Sequence, residues 1–289
     1  MKRRDFIRTT ISTAGVLSLT PAAELLGFEE KKKFANDLVV LGKTGITVSR
    51  LAMGTGTNGY NHRSDQTRRL GINGLANLLS AAYDQGINFW DSADQYGSHP
   101  HLKEALTRVP RDKVVILTKT HATDAEEMRN DLDRFRKEIG TDYIDIVLLH
   151  CLTDGDWPEE KIGAMKALSK AREEGIIRAH GVSCHSLEAL KVAASSDWVQ
   201  IDLARINPAG TIMDADVPVV INILEQMHRN GKGIVGMKIF GAGQLRHRVD
   251  ECLRYVLNLD CVDAFTIGQE NQEEMRVLLK RIPEASVNK

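Results

Sequence analysis

Eight short apolar runs, each followed by a longer amphipathic one, fill the chain from residue 50 almost to its end. The apolar runs span 50–54, 88–92, 114–118, 144–149, 177–183, 200–206, 233–239 and 264–267. The stretches between and after them, 67–84, 99–108, 124–139, 159–174, 186–195, 217–230, 246–258 and 271–281, carry apolar residues three and four apart. Leu75, Leu78, Leu79 and Ala82 show the pattern. That spacing puts apolar groups on one face of a helix. Parallel strands need a long crossover between them, and a helix that covers the sheet supplies it. Eight such units in a chain of 289 residues predict an α/β fold of the (β/α)8 TIM-barrel kind.

A doubly wound sheet is the rival, and its mark is a glycine-rich turn that opens directly into a helix. Gly54, Gly56 and Gly59 have the right spacings. Helical periodicity, however, starts only near residue 67, so 54–59 reads as the first loop at a barrel mouth. Upstream, 38–41 and 47–49 bracket the turn Gly42-Lys43-Thr44-Gly45 and predict an N-terminal β-hairpin. The expected division is a leader and tether over 1–36 and one barrel domain over 37–289. No repeat, low-complexity tract or linker interrupts the domain.

A net charge of −1 and the lack of a basic run in the body of the chain argue against nucleic acid as a partner. Cys151, Cys184, Cys252 and Cys261 are too widely spaced for a C-x-x-C pair or a disulfide framework. The N-terminus is a separate case. Lys2-Arg3-Arg4-Asp5-Phe6-Ile7-Arg8 precedes a mildly apolar run from Thr9 to Leu19, and Pro21-Ala22-Ala23 supplies small residues for cleavage, for instance after Ala22. This segment resembles a twin-arginine (Tat) leader. The apolar run is too short for a permanent span, so no stable membrane insertion is expected. The resemblance implies the Tat export machinery as a partner and a periplasmic or otherwise exported location. That route carries folded proteins, so a cofactor could be loaded before export.

In a barrel, reactive side chains sit at the C-terminal ends of strands and in the loops that follow. Asp91 ends the second run, Tyr96 lies five residues on, Lys119 ends the third and His150 ends the fourth. Any one of these has an ordinary structural reading: a capping Asp, a snorkelling Lys, a core His, a packed Tyr. Four of them on neighbouring strand ends form a constellation. The run Asp91-Ser92-Ala93-Asp94-Gln95-Tyr96-Gly97, the strand ends Leu117-Thr118-Lys119 and Leu148-Leu149-His150, Gly181-Val182-Ser183 and Ile267-Gly268 resemble the aldo-keto reductase family, in order, from about residue 37 to 280. The segment 41–49 is similar to the hairpin that plugs the family's barrel floor.

The resemblance implies a nicotinamide-dependent oxidoreductase that interconverts carbonyls (aldehydes, ketones, sugars) and alcohols. It implies Tyr96 as general acid, Lys119 and Asp91 as its tuning pair, and His150 orienting the substrate oxygen. A free phenol titrates near 10, and a neighbouring cation is expected to lower that value. NADP or NAD is the implied cofactor, NADPH being commoner in the family, and no metal is required. Cofactor contacts would come from Gly54 and Thr55, Ser183 and Cys184, Met237, Lys238, Gly241 and Gly243, and Gln269 and Asn271. Glycines after the seventh strand let backbone N–H groups approach a pyrophosphate, and Lys238 adds charge.

This chain departs from the family pattern at the cofactor seat. Cys184 stands where the family usually has Asn, Leu203 where it has a strand-6 Gln (Gln200 lies nearby), and Met237 where an aromatic stacks. Glu274 holds a position that often carries a 2′-phosphate-binding Arg, with Arg276 close by, so NAD and NADP both stay open. Two other readings follow. One is a ligand-binding barrel with a degenerate nicotinamide site. The other is a metal-dependent barrel hydrolase, drawn from His62, His99, His101, His121, His150 and His185 in expected loops. The short chain after the last helix predicts an open pocket suited to polar carbonyls.

Overall fold

The computed structural model describes residues 32–287; the leader read at residues 1–22 lies outside them. A two-stranded antiparallel sheet, β1 (Leu38–Val40) and β2 (Thr47–Ser49), comes first. Eight strands then close into a parallel barrel: β3 (Leu51–Gly54), β4 (Phe89–Asp91), β5 (Val115–Thr120), β6 (Ile144–Leu152), β7 (Ile177–Cys184), β8 (Ile201–Arg205), β9 (Gly233–Met237) and β10 (Ala264–Gly268), with β10 pairing β3. The expected TIM barrel with an N-terminal hairpin is the observed fold.

The helices form where local signals agree. Helix α1 (Asp65–Asp84) starts at Ser64, whose side chain accepts from the Thr67 N–H while Thr67 reaches back to the Ser64 N–H. That reciprocal cap explains why the helix begins two residues before the apolar periodicity does. Helix α3 (Ala125–Ile139) opens on the Asp124 carboxylate, which accepts from the Glu126 and Glu127 N–H groups, and closes on Gly140 in a left-handed conformation. Helices α2 (His99–Ala105), α4 (Trp157–Glu160), α5 (Ile162–Glu173), α6 (Leu187–Ser195), α7 (Val217–Arg229), α8 (Val249–Leu257) and α9 (Gln272–Ala285) complete the outer layer.

Burial follows the two-residue period of the strands. Ala52, Phe89, Val115, Leu117, Ile146, Leu148, Ala179, Ile201, Leu203, Val235 and Ala264 fill the barrel interior, and Leu41, Ile46 and Val48 join them from the hairpin. The hairpin therefore plugs the barrel floor. Alternate residues, such as Trp90, Ile116, Val147 and Ile234, face the helices in the larger outer core.

Residues 33–35, the end of the stretch read as a tether, pack against the barrel. The Lys33 Nζ donates to the Leu257 carbonyl at 2.5 Å, the Lys33 N–H donates to Ser286 Oγ at 2.9 Å, and Ala35 is buried. This stretch docks on the barrel because it adds an apolar contact and satisfies polar groups of α8 and α9.

Candidate active site

One step up each strand from the interior core, the side chains become polar. Phe89 is followed on the same face by Asp91, Leu117 by Lys119 and Leu148 by His150. Adjacent parallel strands in register (Asp91 opposite Leu117, Lys119 opposite Leu148) carry these groups to one place at the barrel mouth. The apolar layer below gives the constellation a dry floor.

Lys119 is fully buried, forms an ion pair with Asp91 Oδ1 and donates to the Ser92 carbonyl at 2.7 Å. The other carboxylate oxygen, Oδ2, accepts from Thr266 Oγ1 at 2.9 Å. Both carboxylate oxygens are thus held, one from each side of the barrel seam. Burial favours the neutral amine, yet the Asp91 charge and the Tyr96 phenol together raise the Lys119 pKa above its ordinary value. Lys119 stays an ammonium.

Tyr96 closes a short 3-10 turn, Asp94–Tyr96. The Lys119 Nζ lies 4.8 Å from the centre of its ring, and the His150 ring meets it edge-on with centroids 5.7 Å apart. Burial raises the Tyr96 pKa, and the Lys119 charge pulls against it without overcoming it. The sequence argument expected a net lowering; desolvation of the phenolate outweighs the cation. The phenol is therefore protonated at neutral pH. His150 is buried, and burial followed by the Lys119 charge depresses its pKa well below the usual imidazole value. Its Nδ1 is buried without a partner, so a proton there would be an orphaned donor. The neutral Nε2–H tautomer avoids that cost.

The turn carrying Tyr96 is braced from outside. Arg134 donates to both Asp94 oxygens, at 2.6 and 3.0 Å, and also contacts Asp131 and Glu138. His99 spans Glu138 Oε2 at 2.8 Å and Thr118 Oγ1 at 2.7 Å. Asp94, His99 and Glu138 form one compact group of potential metal donors. The Arg134 guanidinium, paired with both carboxylates, occupies the electrostatic role that a cation would take. Of the other histidines named from sequence, His121 and His185 lie near His150, and His62 and His101 lie apart from it. His62 lies beside Asp94, His101 is buried near α1, His121 stacks on His150 with centroids 4.9 Å apart, and His185 Nε2 is 3.7 Å from Cys151 Sγ.

The first loop has a structural purpose that its glycine spacing hid. A Cβ on Gly56 would lie 2.2 Å from Tyr96 Cε2, and one on Gly59 would lie 2.2 Å from Tyr96 Cδ1. Two glycines let the loop lie flat against the phenol ring. Gly56→Ala is therefore expected to displace the ring, lowering kcat about tenfold to a hundredfold with a melting temperature within a few degrees of the parent. Steady-state kinetics and a thermal melt on the same preparation check this; an alanine variant with full turnover would show that the ring's place is not critical.

A cavity of about 240 Å³ opens beside this group. It runs from Asp91 and Tyr96, over Leu203 and Met237, to Lys238, Gly243, Arg246 and Gly268. A sequence model of the aldo/keto reductase family matches residues 50–279. The chain belongs to this family. Among its aldo/keto reductase relatives, D-threo-aldose 1-dehydrogenase of a Pseudomonas species is 27% identical over 201 residues, covering 58% of this chain and 60% of that protein. Aldo-keto reductase YhdN of Bacillus subtilis is 33% identical over 174 residues, covering 52% and 47%. The matched segments thus span about half to three-fifths of those relatives. A solved aldo-keto reductase from Pseudomonas aeruginosa superposes with a TM-score of 0.72 at 25% identity, covering 88% of this chain and 97% of that one.

Of the cofactor residues expected from the aldo/keto reductase pattern, Gly54, Met237, Lys238 and Gly243 line the cavity. The others lie elsewhere. Thr55 is buried, bonding the Asp91 carbonyl and Ser98. Ser183 accepts the Cys151 N–H at 3.1 Å. Cys184 is out of phase with Ser183 and packs in the outer core against the helices. Gly241 sits against Thr211. Gln269 is buried with neither amide atom bonded. Asn271 caps α9 by accepting the Glu274 N–H at 2.9 Å. Glu274 accepts from the Glu270 N–H and from Asn271, while Arg276 is paired with Glu273. Gln200 accepts the His180 N–H and lines a groove at the opposite end of the barrel, with Lys43 and Lys232.

Three residues escaped the sequence argument. Thr266 holds Asp91, Arg246 lies at the far end of the cleft, and Arg205 pairs with the buried Asp214. Arg205 is two residues past the inward-facing Leu203, so strand parity was the signal that could have found it. The donor set of the cleft fits a nicotinamide dinucleotide. Leu203 and Met237 offer an apolar shelf beside Tyr96, Arg246 a cation, and Gly243 (φ +92) open space over its Cα for a phosphate to approach the backbone.

Proposed function

We propose that this chain is an NAD(P)-dependent oxidoreductase that interconverts carbonyl compounds and alcohols. The observation that carries the reading is the Tyr96 phenol, the Lys119–Asp91 ion pair and the His150 imidazole gathered at one end of a single cleft. Bound reduced nicotinamide would supply the hydride that a carbonyl carbon accepts. The protein's part is the proton and its placement. Tyr96 gives its hydroxyl proton to the carbonyl oxygen, and Lys119, held charged by Asp91, stabilises the phenolate left behind. The Nε2–H of His150 donates to the same oxygen and fixes its direction. Oxidation runs the same proton path in reverse, with phenolate as base.

The family's chemistry and the sugar dehydrogenase among the relatives support a polar carbonyl or a sugar as substrate. The likeness of residues 1–22 to a twin-arginine leader supports export of a folded, dinucleotide-loaded protein. Purification from both cell fractions, with spectroscopy of extracted nucleotide and turnover of a carbonyl panel with NADPH and NADH, tests the whole reading. Nucleotide-dependent turnover is expected, with enrichment outside the cytoplasm. Failure to bind either nucleotide would overturn the enzymatic assignment in favour of a binding barrel, a reading motivated by Cys184, Leu203 and Met237.

A further inference from the structure

In the oxidoreductase reading the Nε2–H of His150 faces the substrate oxygen. The other ring nitrogen would then ordinarily fix the imidazole by a hydrogen bond. Nδ1 is instead buried without a partner. Among the described residues, packing is what holds the ring. Tyr96 meets it edge-on, with centroids 5.7 Å apart and an interplanar angle of 81°. His121 lies over its face, with centroids 4.9 Å apart and ring planes 26° apart. Contacts on an edge and on a face restrict different rotations of the ring.

The chain places His121 for this. It lies two residues past Lys119, so the alternation of β5 continues one step further out on the same face. His150 is buried and His121 is exposed, which makes His121 the outer of the two stacked rings. Its backbone is fastened on both sides. The Lys161 ammonium donates to the His121 carbonyl at 3.2 Å, and the Ala122 N–H donates to Thr120 Oγ1 at 3.0 Å. The His121 Nε2–H donates to Gln95 Oε1 at 3.2 Å, and Gln95 immediately precedes Tyr96 in the same 3-10 turn. One ring thus ties the turn that carries the acid to the face of the imidazole. Burial first, then the Lys161 charge, lowers the His121 pKa, and burial is also the largest influence depressing that of His150. Both rings are neutral at pH 7, so no like-charge repulsion opposes the stack.

We propose that His121 is a positioning residue: stacked on His150 and bonded to Gln95, it keeps the imidazole Nε2–H aimed at the oxygen that Tyr96 protonates. The inference rests on the oxidoreductase reading and adds to it a residue that acts through His150.

The test uses the full-length purified protein. His121→Ala removes both the stack and the bond to Gln95, whereas His121→Phe restores the ring alone. The alanine variant is expected to lose about tenfold to thirtyfold in kcat for carbonyl reduction, with dinucleotide affinity from fluorescence titration unchanged. The phenylalanine variant is expected to recover most of that loss, a rescue that a general loosening of the loop would not show. Parent-like kcat in His121→Ala would overturn the proposal. So would equal losses in the two variants, or a loss that appears in dinucleotide affinity instead. Proton NMR gives a readout that needs no turnover. The His150 Hε1 resonance, identified by its absence from His150→Gln, is expected to move downfield in His121→Ala, because the ring that shields it has gone. In His121→Phe it is expected to stay upfield. If no carbonyl is turned over, the oxidoreductase reading fails, and the NMR shift alone decides whether His121 holds the imidazole. An unmoved resonance in His121→Ala sinks the idea.

Discussion

Tyr96→Phe is expected to lower carbonyl reduction by about a hundredfold to ten-thousandfold while leaving the fold intact. The substitution removes one oxygen and keeps the ring, and it is the ring that fills the space left by Gly56 and Gly59 and meets His150 edge-on. Packing should therefore survive, and the melting temperature should move by no more than a few degrees. Without the hydroxyl, the developing alkoxide has only the His150 N–H to meet it. Circular dichroism melts and steady-state rates of the same sample provide the check. Turnover equal to the parent's would take the acid role away from Tyr96.

Lys119→Met is expected to cost both stability and the pH behaviour of the reaction. Lys119 is fully buried, and its removal leaves the Asp91 carboxylate in the barrel with Thr266 as its remaining side-chain partner. Breaking a buried pair from one side costs about 3–5 kcal/mol, which a denaturant titration can measure. The sign of the linkage is definite. Burial pushes the Lys119 pKa down, but Asp91 and Tyr96 carry it above the ordinary value of 10.5. The pair's stabilisation is thus complete below that ordinary value and is lost only as pH rises through the higher folded-state value. At neutral pH the variant should show the full loss.

The same substitution acts on chemistry through Tyr96. Burial already raises the phenol's pKa, and Lys119 is the largest influence opposing it. Without the ammonium the phenolate becomes harder still to form. Alcohol oxidation, which needs phenolate as base, should shift its pH–rate profile to higher pH. Reduction, which needs the protonated phenol, should lose rate without its profile moving toward acid. An oxidation profile that stays in place would mean that Lys119 serves only to hold Asp91.

The order of elements, the barrel class, the hairpin plug and the gathering of Asp91, Tyr96, Lys119 and His150 at the barrel mouth were all legible from the chain alone. The physical reason is locality. A two-residue alternation decides which side of a strand faces inward, and a strand's polar end marks the barrel mouth, so Asp91, Lys119 and His150 announce themselves without any partner being known. The cofactor seat was less legible. Thr55, Cys184 and Asn271 are buried, packed outward or capping a helix, and Gln269 is buried with its amide unbonded, features that spacing along the chain does not show.

What only the tertiary structure decided involves groups brought together across large sequence separations. The bond from Thr266 to Asp91 joins the last strand of the barrel to the second. The glycines of the first loop serve a ring that is some forty residues later in the chain. The net upward shift of the phenol's pKa is a sum of burial and charge, and that sum exists only once the barrel has closed and excluded water from around Tyr96.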